Sequence, residues 1–253
     1  ALWALGLCVA QTGQGSFQML AAELFEQALP VAAGFTSPRA WAFTLIGIDE
    51  YLRRLSGDRR ANQIRESLTA KLMQSHASVA TEDWQWFEDV VSYANAKLPH
   101  SLILSGRCMN DTTMLEIGLK TLRWFVTIQT SDAGSLRPIG SNGFYRRGQE
   151  RALFDQQPIE AQATVSACIE AYHATGDMFW GAEARRAFEW FLGRNDLGLA
   201  LYDSSTGGCR DGLHMDRVSQ NQGAESTLAF LLSLAEMQTL QSILTSFKEP
   251  PGD

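Results

Sequence analysis

Three short stretches decide how this chain folds: LSGDRR at 55–60, LSGRCMND at 104–111 and ATGDMF at 174–179. Each follows an apolar stripe with helical spacing. Each places a glycine, Gly57, Gly106 or Gly176, where a helix can end in the left-handed conformation without a Cβ penalty. An aspartate follows, Asp58, Asp111 or Asp177, positioned to cap the free N–H groups of a second helix. The pattern predicts tight helical hairpins. Outward from these turns the stripes continue. Trp41, Leu45, Ile48, Leu52 and Leu55 step by four, three, four and three. Leu115, Leu119, Leu122 and Val126 repeat the step, as do Val165, Cys168, Ile169 and Tyr172. No convincing alternating strand pattern interrupts them.

The links between hairpins are longer, roughly 76–89, 130–156 and 194–222, and they are rich in Gly, Asn, Gln and Arg. First helices are expected near 1–11, 39–56, 90–105, 157–175 and 223–245, and second helices near 15–29, 58–75, 110–129 and 178–193. Short turns on one face and long returns on the other imply an all-α (α/α) toroid. Its common closed form has six hairpins. The expectation is therefore one toroid domain over 1–253, an N-terminally truncated fragment of an (α/α)6 fold. An open helical solenoid is the competing architecture.

Composition bounds the function. The chain has 253 residues, 21 Lys+Arg against 28 Asp+Glu, and a net charge of −7. That acidity disfavours a nucleic-acid partner, because a phosphate backbone needs a basic surface. Cys8, Cys108, Cys168 and Cys209 form no CxxC, which fits a reducing, cytoplasmic setting. No apolar run reaches the roughly 18 residues of a membrane span. Cys209 and His214 lack two further placed ligands, so no metal is expected, and no cofactor motif is present.

In a toroid the long returns bring their residues to the N-termini of the inner helices. Three segments meet there. TEDWQWFEDVVSYANAKLP (81–99) offers Glu88 and Asp89 as catalytic carboxylates, with Trp84, Trp86, Tyr93 and Asn95 to bind substrate. Indoles beside carboxylates suit sugars, whose C–H faces stack and whose hydroxyls are held. RPIGSNGFYRRGQERALFDQQPIE (137–160) offers Asp155 as a catalytic acid and Gln156 and Gln157 as binding groups. Within it Pro158 suits the first helical position, and Glu160 can reach back as in a capping box. YDSSTGGCRDGLHMDRVSQNQGAEST (202–227) brings Arg210, Asp211, Asn221 and Gln222 as binding groups and Glu225 as a fourth candidate acid.

WQWFEDVVSYANAKLP, FDQQPIEA and TGGCRDGL…NQGAESTLAF resemble the helical domain that follows group 1 glycosyltransferase modules in many bacterial proteins and also occurs alone. The resemblance covers nearly all of the chain, ALWALG and PRAWA included. It departs mildly at VSYANAKLP, where the family often has Arg at Lys97. The family's upstream helices, with an acidic D-D-N-A-R-A motif, have no match here. The resemblance implies a fold similar to six-hairpin glycosidases, a sugar or oligosaccharide ligand, and a glycosyltransferase module as a partner in the parent chain. The leading expectation is two-carboxylate glycoside hydrolysis, with Glu88 or Asp89 supplying one group and Asp155 or Glu225 the other. A non-catalytic glycan-binding or scaffolding module is the alternative. A sugar epimerase, which favours paired histidines, is third.

Overall fold

The computed structural model describes residues 1–246. Its helices are α1 (Leu2–Gln11), α2 (Gly15–Ala32), α3 (Pro38–Leu52), α4 (Arg59–Val79), α5 (Lys97–Met109), α6 (Thr112–Ile128), α7 (Pro158–Thr175), α8 (Met178–Glu189) and α9 (Ala224–Ser246). Four two-residue strands, β1 (Val90–Val91), β2 (Tyr145–Arg146), β3 (Tyr202–Asp203) and β4 (Gly208–Cys209), make two antiparallel pairs, β1 with β2 and β3 with β4. The expected helices are present in the expected order. The strands were not anticipated, since two residues are too few for an alternating pattern to show.

The chain divides into two compact units. One holds Ala1–Glu88 and Lys97–Thr121, the other Asp89–Ala96 and the described residues from Leu122 on. In the first unit α3 is buried on every side from Thr44 to Leu52, and α5 from Lys97 to Gly106. In the second unit α7 is buried continuously from Glu160 to Ala171. A helix apolar or satisfied all round belongs inside its layer, and one with a polar face belongs outside. α3, α5 and α7, the first helices of three hairpins, are thus the inner ones. α4, with buried Ala61, Ile64, Leu68 and Leu72 on one stripe, is outer.

The three hairpin turns use the predicted chemistry unequally. Gly176 takes the left-handed conformation at φ +69, and Asp177 caps α8 through the Phe179 N–H at 2.9 Å. Asp58 caps α4 through the Ala61 N–H at 3.0 Å. Each cap is worth about 1 kcal/mol. Gly57 lies in the turn but α3 already ends at Leu52. Gly106 is a correction: it does not end α5 but lies inside it, and Asn110, at φ +56, makes the left-handed exit. Gly106 is needed for a different reason. A Cβ there would sit 2.7 Å from the Leu115 backbone nitrogen, so the glycine lets α5 and α6 approach.

The stretch 90–96, expected to begin an inner helix, is extended and then turned. Val90 and Val91 pair with β2, and Ala94 sits at φ +46. Pro99 falls in the first turn of α5, where a missing N–H costs nothing.

Two buried histidines of the first unit make its stability pH-dependent. Burial pushes His76 below its ordinary value, and Lys120 adds to the effect. Burial, then Lys97 and Arg107, pushes His100 well below. The unfolded chain then takes up protons below the ordinary value of 6.5 that the folded chain refuses. Stability is therefore complete above that pH and declines below it. The urea midpoint is expected to fall from about pH 7 to about pH 5. The fall should be smaller in a His76→Gln/His100→Gln variant. An equal fall in both proteins would contradict this source.

Candidate functional site

The second unit assembles a site where two long returns touch. Gln156 and Leu213 exchange both backbone bonds, at 3.0 and 2.9 Å, as an isolated antiparallel bridge. In that register the neighbours Asp155 and His214 fall side by side, and His214 Nδ1 lies 2.5 Å from Asp155 Oδ1. His214 is held from below by its N–H to the Arg217 carbonyl, 2.8 Å, which closes a tight turn. The Asp155 carbonyl is held by the Ser141 N–H at 3.0 Å and the Ser141 hydroxyl at 3.1 Å. Asp155 adopts φ +42, a left-handed conformation uncommon for a residue with a Cβ but tolerated best by Asn and Asp.

Both side chains remain accessible, 41% for Asp155 and 36% for His214, so a ligand can reach the pair. With Nδ1 protonated the imidazole donates to Asp155 and leaves Nε2 as an acceptor; doubly protonated, it can give that proton up. An accessible carboxylate paired to an imidazole is a proton-handling group.

The neighbouring polar residues hold the frame. Gln156 is fully buried: its amide donates to the Leu153 carbonyl at 2.9 Å and Asp196 at 2.6 Å, and its oxygen accepts from the Trp190 indole at 2.8 Å. Arg137 closes on the same Asp196 at 2.7 Å. Arg210 bonds the Gln220 carbonyl at 3.0 Å and Asp203 at 2.9 Å. Gln222 joins Asp203 at 3.0 Å. Asp211 accepts from the Asn221 amide and from the Gly223 N–H at 2.7 Å, just before α9. Burial pushes the Asp211 carboxyl up, but bonds from Ser226, Gly223 and Asn221 outweigh it and hold the group below its usual range. Gln157 precedes α7 and makes no side-chain cap bond. Glu225 is exposed in the first turn of α9, and Asp89 is 80% exposed.

Glu160 corrects a local expectation. It does not complete a capping box at the start of α7. Its buried carboxylate instead accepts the Ala94 N–H, the Asn95 N–H at 3.3 Å and the Asn95 side-chain amide at 2.9 Å, fixing the strained 92–95 turn. Glu160→Gln would point an amide donor at these donors. It is expected to cost about 2–3 kcal/mol. Unfolding within about 0.5 kcal/mol of the parent would show that the turn does not depend on the charge.

In the first unit Glu88 forms an ion pair with Arg39 at 2.5 Å, and its carbonyl accepts the Trp84 indole N–H at 2.9 Å. Trp84 and Trp86 are buried, Trp86 completely, with its ring edge-on to Phe87. Their faces pack against protein. Tyr93, in the second unit, is 48% exposed and is the open aromatic of that segment. Cys209 is buried, and burial pushes its thiol up to about 12. No group of three or more His, Cys, Asp or Glu among the described residues is arranged to hold a metal. No helix of the described residues is long and apolar enough to cross a membrane.

The Asp155–His214 pair was half legible in the sequence. Asp155 stood out before a helix mouth and His214 as a lone histidine in a return. Their pairing depends on the 156–213 bridge, which joins residues 57 apart by two hydrogen bonds and leaves no local signal.

No protein-family model matches the sequence, and no curated protein matches it in sequence. Solved structures do match in fold. The Lin0763 protein from Listeria innocua aligns at TM-score 0.61 and 10% identity, over 95% of this chain and 85% of the other. An unsaturated glucuronyl hydrolase specific for heparin aligns at 0.63 and 12% identity, over 94% and 67%. A GH76 α-mannanase from Bacteroides thetaiotaomicron aligns at 0.65 and 11% identity, over 95% and 68%. At such identities the likeness is one of fold, and it shows the all-α toroid expected from the hairpins.

Proposed function

We propose that this chain is a carbohydrate-active, glycosidase-like domain that acts on a glycoside by acid/base hydrolysis with Asp155 as a proton-handling carboxyl group. The observation that carries the reading is the accessible Asp155–His214 contact at 2.5 Å, built on a backbone held at φ +42. The named activities of two fold neighbours, a glucuronyl hydrolase and a mannanase, support the substrate class. His214 orients Asp155 through that contact. Asp89 or Glu225, exposed in the same unit, supplies the second carboxyl group. Glu88 stays a candidate, with Arg39 as the cation that positions it. Tyr93, Gln157 and Asn221 supply contacts to sugar hydroxyls and C–H faces. A glycosyltransferase module in the parent protein is the proposed partner, with the toroid as one cytoplasmic domain.

One observation favours a second reading, a non-catalytic glycan-binding or scaffolding module. Gln156, Arg210, Asp211 and Gln222 spend their hydrogen bonds on the frame. Assaying the protein and its Asp155→Asn, Asp89→Asn, Glu225→Gln and Glu88→Gln variants against manno-, gluco- and glucurono-oligosaccharides separates the two. Hydrolysis lost in Asp155→Asn and in one other variant supports the enzyme. Sugar binding without turnover in the parent supports the module.

A further inference from the structure

The end of α6 and the loop around β2 line an open hollow of about 550 Å³, whose lining includes neither Asp155 nor His214. That is ample for a monosaccharide. Ile128 and Leu153 give it apolar wall, Tyr145 an aromatic ring, and Thr127 and Gln149 polar groups. Its cation is Arg151.

The arginines here are satisfied to different degrees. Arg137 is closed by Asp196 at 2.7 Å, and Arg186 by Glu183 and by the Val126 and Gln129 carbonyls at 3.3 and 3.5 Å. Arg151, half-buried, makes one long bond, to the Thr130 carbonyl at 3.4 Å. No carboxylate among the described residues comes within 4.0 Å of its guanidinium. The groups that act on it are Arg137, Tyr145, Asp132 and Asp196; burial, then Arg137, pushes its pKa down. A guanidinium has five N–H donors in a planar fork, and here most are unspent. The Thr130 carbonyl, two residues past the end of α6, accounts for one of them.

We infer that the hollow at the end of α6 is a binding site for the carboxylate of an acidic sugar, with Arg151 gripping the carboxylate and Ile128, Leu153 and Tyr145 facing the pyranose ring. A single fork matches two coplanar oxygens. Glu150, exposed at the same hollow, disfavours a more highly charged phosphate. The choice of a sugar rests on the carbohydrate reading above; the anion preference rests on Arg151 alone.

The test is titration of the whole, 15N-labelled protein with glucuronate, glucose or inorganic sulfate, followed by amide shifts. Glucuronate is expected to move the amides of Thr127, Gln149 and Arg151, and glucose to move none of them. Arg151→Gln should weaken glucuronate binding about tenfold or more, Arg151→Lys less, because it keeps the charge and loses the fork. Glu150→Gln should strengthen it by removing a like charge, and this variant keeps the test open if Arg151→Gln does not fold. Equal responses to glucose and glucuronate would overturn the proposal, as would sulfate competing as well as glucuronate, or no shift at these amides. No turnover is needed for this readout. Binding in the Asp155→Asn variant with hydrolysis absent throughout would sink the enzyme reading and leave this site standing.

Discussion

Asp155→Asn is expected to lower kcat on a cleavable glycoside by about 10²–10⁴-fold, the usual worth of a positioned acid or base. The exchange isolates proton transfer from folding. Asp155 sits at φ +42, and Asn is the other residue that tolerates this conformation well, so the backbone is not penalised. The amide oxygen can still accept from His214 Nδ1, and the Ser141 bonds go to the main-chain carbonyl, which is unchanged. Melting temperature and sugar binding should therefore stay close to the parent's. Asp155→Ala is the wrong control, because it also loses the residue suited to this φ. Because His214 touches Asp155 directly and is proposed to act through it, Asp155→Asn/His214→Ala should be no slower than Asp155→Asn alone. Multiplicative losses would mean that aspartate and histidine act separately. Unchanged turnover in Asp155→Asn would remove the pair from catalysis.

The second large effect is on stability. Gly106→Ala within α5 is expected to destabilise the protein by roughly 2 kcal/mol, although alanine is the better helix former by about 1 kcal/mol. The added Cβ would meet the Leu115 nitrogen at 2.7 Å, its Cα at 3.0 Å and the Asp111 carbonyl oxygen at 3.1 Å. These are backbone atoms at the start of α6, which cannot rotate away as a side chain would, so overpacking outweighs propensity. Gly181→Ala inside α8 is the matched comparison. Nothing lies within 4 Å of its added Cβ, so propensity acts alone and about 0.5–1 kcal/mol should be gained. In a chain of this length each kcal/mol moves Tm by about 2–4 °C. The two variants should thus shift in opposite directions. Gly106→Ala at or above the parent Tm would mean that α5 and α6 separate easily.

The hairpins were legible in the sequence because their causes are local. Stripes of period 3.6, an aspartate before each second helix and glycine at Gly176 act over a few residues, and each appears where expected. Gly106 was misassigned because sequence shows that a glycine is present without showing which clash it avoids. The start of α5 was misplaced for a related reason. Residues 90–96 carry a helix-compatible pattern, but pairing of Val90 and Val91 with β2, and the Glu160 carboxylate on Ala94 and Asn95, recruit them into a turn. Asp155 was visible as an acid before a helix mouth, and Trp84 and Trp86 as aromatics beside acids. Whether an indole faces ligand or core depends on what packs over it, and here protein does. The charge, the helices and the acidic candidates were set by the sequence alone. The partners were decided by tertiary structure: His214 for Asp155, Arg39 for Glu88, Thr130 for Arg151. Each partnership forms across 21 to 59 residues of chain, where contact depends on how returns and helices pack, and no short-range rule encodes it.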